Sequence, residues 1–398
     1  MDRTINYNLH FSPGKWMHIG MFFTIFFPFI PSIIPGTDTQ PTFFLLFNCS
    51  MIYLLVNYQY QSRYFELNYN KIGAISALFG LILMSVILAK LFIASPTLWA
   101  RIISFLQFSF ALFFAYNSAY FFKIESLKKV FWVFAIFSVI YFLTHGLVER
   151  ILISSRTDSF EMLAASGRGA KTLSPEPSFF ALHMFNLYLI FHLLASKESK
   201  KKYGDVVFWL TSFCLLASLS GYGFIIFLLI LSMRYTKTMI IFGLIFMASS
   251  GLILNYFDSL ADFRGIKLLT EILLKNPALI LNDASFASRF GSFFAYIENI
   301  KNNFIFGDGF TLLQGGGFIS IVSSLGLLAA IFLIYVIVQI FKLKDGSAAL
   351  KFMLVFWFLL NLFSGPIGIP TLGVIVGLIL RRNLKQNNFL KFQNLSNA

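Results

Sequence analysis

The chain has 398 residues, of which 58% are apolar and only 12% charged, with a formal net charge of +14. A water-soluble domain of that length cannot keep so much apolar surface from solvent, so the composition excludes an ordinary soluble fold. The basic residues lie in short clusters between apolar runs, which is the pattern of a membrane topology signal and not of a nucleic-acid-binding face.

Apolar runs near the ~20 residues needed to cross a bilayer recur along the chain. They predict spans at 16–34, 42–58, 72–93, 102–122, 130–148, 177–195, 206–220, 222–233, 238–256, 316–340, 352–364 and 367–380. The fold class expected is therefore an all-α integral membrane protein, with about 12 transmembrane helices in a single polytopic membrane domain over residues 1–398. The first run continues into further spans and reads as a signal anchor. Cys49 and Cys214 both fall inside apolar runs, in no disulfide or zinc pattern, and are expected to pack. Numbered from a cytoplasmic N-terminus, the segments on that side carry 20 of the 31 basic residues, among them Lys128, Lys129, Lys197, Lys200–Lys202, Arg234, Lys342, Lys351, Arg381 and Arg382. Lys and Arg favour the cytoplasmic side, so both termini are expected there.

Four spans are short: 206–220, 222–233, 352–364 and 367–380. Each pair is split by Gly- or Pro-rich sequence, Ser220-Gly221-Tyr222-Gly223 and Ser364-Gly365-Pro366-Ile367-Gly368. They are kept as separate helices, because fusing the first pair would move Lys342, Lys344 and Lys351 to the outer side.

Two connections on the outer side, 149–176 and 257–315, exceed what a helix bundle needs and are the expected carriers of function. In the first, Pro177 suits the opening turn of a helix and puts Glu176 at its positive end. From physics alone Glu176 either complements the helix dipole or acts on a substrate at the membrane rim. Arg156, Arg168 and Lys171 belong to the same loop, with Gly167 and Gly169 flanking Arg168. Within the second, 283–303 has helical periodicity, with Phe286, Phe290, Phe293 and Ile297 on an apolar face expected against lipid or bundle. Ser285, Arg289, Ser292, Tyr296 and Asn299 form a polar stripe beside it, expected to aim over the membrane surface. Arg289 there either meets lipid headgroups or binds substrate. Arg264 is a further cation of this loop, and Phe306-Gly307-Asp308-Gly309-Phe310 follows it. Cations on the side where they are normally scarce point to an anionic substrate at the outer interface, for which arginine's planar fork is suited. The sequence holds no metal-ligating spacing, and no metal or other cofactor is expected. His183 and Asn186, a turn apart on one span, are expected to hydrogen-bond inside the bundle.

Arg168-Gly169…Ser174-Pro175-Glu176-Pro177-Ser178-Phe179-Phe180-Ala181 resembles the R-G-x-x-x-E-P-S-x-x-A signature of bacterial O-antigen and capsule polymerases of the Wzy type. Ser288-Arg289-Phe290…Phe304-Ile305-Phe306-Gly307-Asp308-Gly309 is similar to that superfamily's arginine-bearing loop helix, although Asn303-Phe304 stands where a proline is usual. Leu216-Ala217-Ser218-Leu219-Ser220-Gly221-Tyr222-Gly223 looks like its L-S-x-T/S-G junction. The resemblance implies an enzyme of the inner membrane: a glycosyltransferase that polymerises undecaprenyl-pyrophosphate-linked repeat units at the periplasmic face, by inverting, metal-independent transfer. It implies Glu176 as base, Arg168 and Arg289 as cationic partners of the departing pyrophosphate, and Arg156, Lys171, Ser178, Arg264 and Tyr296 as substrate contacts. The expected partners are the lipid-linked oligosaccharide as donor and acceptor, membrane lipids and a chain-length regulator, and no nucleic acid. Two alternatives stay open, an O-antigen ligase and a flippase or transporter of lipid-linked oligosaccharide. The ligases carry a histidine in the second loop, and this loop has none.

Overall fold

The computed structural model describes residues 13–29, 46, 105–112, 115–116, 124–146, 148, 169–174, 176–235, 294–308, 317–343, 347–363 and 370–396. The expected spans at 72–93 and 238–256, all but residue 46 of 42–58, and most of both long loops lie outside the described residues. Regular structure among the described residues is entirely helical. The main helices are α1 (Pro13–Phe26), α2 (Ile124–Thr144), α3 (Pro177–Leu194), α4 (Lys197–Ala217), α5 (Gly221–Arg234), α6 (Gly317–Leu325), α7 (Leu327–Phe341), α8 (Ala348–Phe363) and α9 (Pro370–Ser396). Shorter helical stretches occupy 105–112 and 294–302.

Local chemistry sets where these helices begin. Pro177 opens α3 after an extended Glu176, where its missing N–H forfeits no helical hydrogen bond. The Ser196 side chain caps α4 by accepting from the Ser199 amide at 3.2 Å. Ser220 does the same for α5 through the Gly223 amide at 2.9 Å, satisfying donors that an apolar setting would otherwise leave orphaned.

α3 is the hub. It packs against α2, α4, α5, α8 and α9, and nearly every residue from Phe180 to Leu193 is buried. Phe134 of α2 stacks on Phe27 (5.5 Å) and lies 5.8 Å from Phe180, while Phe318 of α6 meets Phe358 (5.2 Å) and Trp357 (5.6 Å) of α8. Polar side chains tie this apolar interior together. Trp357 Nε1 donates to Asn186 Oδ1 at 2.7 Å, and Asn186 Nδ2 donates to Thr371 Oγ1 at 2.9 Å, so one amide on α3 joins α8 and α9. His183 Nε2 lies 3.0 Å from the Phe26 carbonyl at the end of α1. The expected hydrogen bonding of His183 and Asn186 inside the bundle is what the structure shows, and Cys214 is a buried packing residue.

The two ends of the bundle differ in charge. At one end Arg382 donates to the Leu193 carbonyl at 3.2 Å, Lys351 to the Phe341 carbonyl at 3.0 Å, and Arg381 to the Tyr116 carbonyl at 2.8 Å. Cationic side chains there satisfy last-turn carbonyls and complement the negative ends of helix dipoles. The Arg234–Asp205 ion pair joins α5 to α4 at the same end. Glu176 and the α4–α5 junction lie at the other.

Outward faces carry large apolar side chains in helical register. On α2 these are Trp132, Ile136, Val139 and Leu143; on α4, Val206, Trp209, Phe213 and Leu216; on α7, Ile331, Ile334 and Val338. Contiguous apolar surface of this extent marks contact with lipid or another protein. Among the described residues α2 and α3 are long and apolar enough to cross a membrane.

Several boundaries differ from expectation. α2 begins at Ile124, so Lys128 and Lys129 lie within a helix and not before one. The short span at 206–220 belongs to a 21-residue helix that starts at Lys197, and the one at 367–380 to a 27-residue helix, α9. Charged N-terminal turns extend α2 and α4 beyond their apolar stretches, and a polar, basic C-terminal half extends α9. The single span expected at 316–340 is broken: Gly326 has φ +68° and separates α6 from α7. A Cβ there would overlap the Ile305 carbonyl, which explains why a glycine holds the break.

Asn186→Leu leaves the Trp357 indole N–H without its acceptor inside the bundle. The expected cost is about 1–3 kcal/mol, read as a lower unfolding midpoint in detergent; an unchanged midpoint would show that the amide does not tie the helices.

Candidate functional site

The end of the bundle opposite the cationic one is built from the segment 169–174, Glu176 with the start of α3, and the junction between α4 and α5. Residues 218–220 break the helix there: Ser218 Oγ donates to the Leu215 carbonyl at 2.6 Å and lies 3.0 Å from Ser220 Oγ. A Cβ on Gly223 would run into Ser218 and the Leu215 carbonyl, so only glycine permits this close turn.

The segment 169–174 sits directly on that junction. The Ala170 amide donates to the Ala217 carbonyl at 2.8 Å, and any side chain at Gly169 would overlap Ala217, Ser218 and Leu219. Parts of two sequence elements singled out above, Gly169-Ala170 and Ala217-Ser218-Leu219, therefore meet in one structural unit. Thr172 (φ +45°) and Leu219 (φ +43°), one on each side of it, adopt left-handed backbone that side chains of their type rarely take. Strain of this kind persists only where surrounding structure enforces it, and it concentrates at functional sites.

Polar side chains line the unit. The hydroxyls of Thr172 and Ser174 are buried and have no hydrogen-bond partner among the described residues. Neither stood out in the sequence, since a Thr and a Ser in a loop carry no spacing signal. Lys171, expected as a substrate contact, is only 2% exposed. Glu176 is partly exposed, and its carboxylate makes no capping hydrogen bond to α3. It accepts instead from the Ser178 hydroxyl at 3.3 Å. Its hydrogen-bonding capacity is thus not consumed by the helix it precedes, although the helix end still surrounds it with positive potential.

Of the other expected residues, Arg156, Arg168, Arg264 and Arg289 lie outside the described residues. Tyr296 does not face outward. It is 3% exposed, and Asn299, on the same stripe, donates to Ser323 Oγ at 2.6 Å. The end of the polar stripe thus turns inward onto α6, while Phe294 is exposed. Hydrogen bonding across the helix contact turns inward the end of a polar stripe expected to face outward. The following Gly307 has φ +68° and lies flat against Ser324, and the Asp308 amide donates to the Ser323 carbonyl at 2.9 Å. This places Gly307 and Asp308 at the α6–α7 break. Among the described residues no three His, Cys, Asp or Glu side chains converge as metal ligands.

No family model, no curated protein and no solved structure matches this chain. The geometry above is therefore the basis for assigning it a role.

Gly169→Ala should unseat the loop from the junction, at a cost of about 1–3 kcal/mol for the overpacking. Gly221→Ala has open space around it and serves as the near-neutral control. The measurement is the labelling of a cysteine at Thr172 by a membrane-impermeant maleimide: slow in the parent, fast with Gly169→Ala, and unchanged with Gly221→Ala.

Proposed function

We propose that this protein is a multi-pass enzyme of the bacterial inner membrane, with both termini cytoplasmic and its site facing the periplasm. There it joins undecaprenyl-pyrophosphate-linked oligosaccharide repeat units into a polymer. The observation that carries the reading is the seating of 169–174 on the α4–α5 junction, with the Glu176 carboxylate beside it and not spent on capping. Two further features support it. The cationic clusters gather at the end away from Glu176, as a positive-inside orientation with Glu176 outside requires. Apart from His183, the polar side chains of the described bundle core are mostly neutral, such as Asn186, Thr371 and Asn361, whereas a transporter of charged cargo keeps several charged groups along its path.

In this mechanism Glu176 takes the proton from the acceptor sugar's hydroxyl, whose oxygen attacks the anomeric carbon of the donor glycan. The bond from that carbon to the phosphate oxygen breaks with inversion, and undecaprenyl pyrophosphate departs with the electron pair. A base at the membrane rim suits an acceptor whose own lipid holds it at headgroup depth. Arg168 and Arg289 offset the charge growing on the departing pyrophosphate, where fixed cationic donors lower the barrier most. Lys171, Arg156, Arg264 and Ser178 position the substrates. Tyr296, buried against α6, supports the loop helix and takes no part in substrate contact.

Glu176→Gln and Arg289→Ala should each insert normally yet fail to extend chains, with loss of roughly 10²-fold or more in polymer formation. Electrophoresis of the surface glycan from a knockout complemented with each variant reads the result. Single repeat units without a ladder are expected; long polymer in both variants would sink the site, and the absence of even single units would point to a flippase.

A further inference from the structure

At the cationic end, α2 and α4 each begin an outward stripe with a lysine. On α2 the register Lys128, Trp132, Ile136, Val139 runs down one face, and on α4 Lys202, Val206, Trp209, Phe213 does the same. The two helices pack side by side, and the pairing of Glu125 and Lys128 with Tyr203 and of Ser138 with Cys214 shows that they run in the same direction away from this end. Their lysines converge on one ring: Lys128 Nζ is 5.0 Å and Lys202 Nζ 5.1 Å from the centre of Tyr203. Two ammonium groups on one aromatic ring define a compact doubly cationic spot. One carboxylate borders it: Glu125 accepts from the Tyr203 hydroxyl at 3.5 Å and its negative charge also acts on Lys202, so two lysines against one carboxylate leave the spot net cationic. Asp205 is held by Arg234, and Glu198 is exposed in the same run as Lys197, Lys201 and Lys202.

Below the lysines the stripes are open. Trp132 is 48% and Trp209 59% exposed, and Ile136, Val139 and Phe213 are exposed beside them. Eleven residues from Lys128 to Val139 rise about 16 Å, close to the ~15 Å of one leaflet's hydrocarbon. We propose that Lys128 and Lys202 hold the headgroup phosphate of an anionic glycerophospholipid at Tyr203, with its acyl chains lying along the stripes of α2 and α4. The proposal rests on the membrane reading above but not on the glycan chemistry, since the spot lies at the opposite end from Glu176. Charge complementarity selects the occupant: a zwitterionic headgroup adds its own cation beside the two lysines, whereas an anionic one does not. The aromatic side chains a turn or two below the headgroup sit at the depth where Trp favours the interface.

The full chain reconstituted in phosphatidylcholine vesicles with 20 mol% phosphatidylglycerol tests this by tryptophan quenching. Bromine is placed on the acyl chains of one lipid class at a time. The contribution of the two surface indoles is obtained by difference from a Trp132→Phe/Trp209→Phe variant. Brominated phosphatidylglycerol should quench them with a roughly fivefold preference per mole over brominated phosphatidylcholine, the factor one interfacial lysine typically supplies. Lys128→Gln/Lys202→Gln should bring that ratio near one, and Lys128→Arg/Lys202→Arg should retain it. Equal quenching by both lipids, or a preference that survives the Gln pair, overturns the lipid site while leaving the membrane reading intact. Absence of quenching by either lipid overturns both.

Discussion

An apolar environment gives a helix no water, so every polar group within it must find its partner in the protein. α3 meets this constraint in its strictest form. It is buried along nearly its whole length, yet it carries His183, whose Nε2 reaches the Phe26 carbonyl, and Asn186, which is bonded to two neighbouring helices. Because Asn186 can be satisfied only when α8 and α9 stand in one register, the amide specifies the arrangement as well as stabilising it. Interhelical hydrogen bonds are individually worth about 0.6 kcal/mol in comparable settings. Their contribution here is directional: apolar packing alone would tolerate a slip of one turn, and this hydrogen-bonded triad does not.

The same constraint explains why the candidate site lies where helices break. Interrupting a helix frees backbone donors and acceptors, and these must be re-satisfied locally. At 217–223 serine hydroxyls and the Ala170 amide do so; at Gly326 the Ile305 carbonyl accepts from the Leu327 amide at 3.3 Å. Each break is therefore sealed by a loop segment that docks backbone to backbone, and glycines at 169, 223, 307 and 326 make that docking possible. Loops so anchored hold their side chains with the precision of regular elements. That gives Thr172, Ser174 and Glu176 a fixed frame at the rim of the bundle.

How much of this could be read from the sequence follows from which physical signals are local. Pro177 after Glu176 marked the start of α3 to the residue, because proline's fixed geometry and missing N–H act at one position. The starts of α2 and α4 were not visible from hydropathy, since Lys128 and the Lys200–Lys202 run are as helical as the apolar residues they precede. Gly326 gave no warning either: a lone glycine in an apolar run is tolerated in an intact helix, and the break depends on Ile305, distant in sequence. Tyr296 shows the limit of periodicity, which separates two faces of a helix but does not tell which is inward. A serine on α6 accepting from Asn299 decided that. At the site, the two motifs that join were legible as separate strings, whereas their contact and the buried hydroxyls between them are products of tertiary structure.

The charge distribution links these observations. Cations at one end act on carbonyls that end helices, as Arg382 and Lys351 do, so in the proposed membrane orientation the residues that bias it also stabilise the folded bundle. That double use leaves the other end with few described charges, and an isolated carboxylate such as Glu176 or an enclosed ammonium such as Lys171 is correspondingly conspicuous there. Electrostatic interactions strengthen as water is excluded, so a small number of groups at an apolar rim can act on a charged substrate more strongly than many solvated ones. On the proposed reading the largely uncharged interior serves the site: it keeps the local dielectric low and adds no fixed charge to the helix-end potential at Glu176.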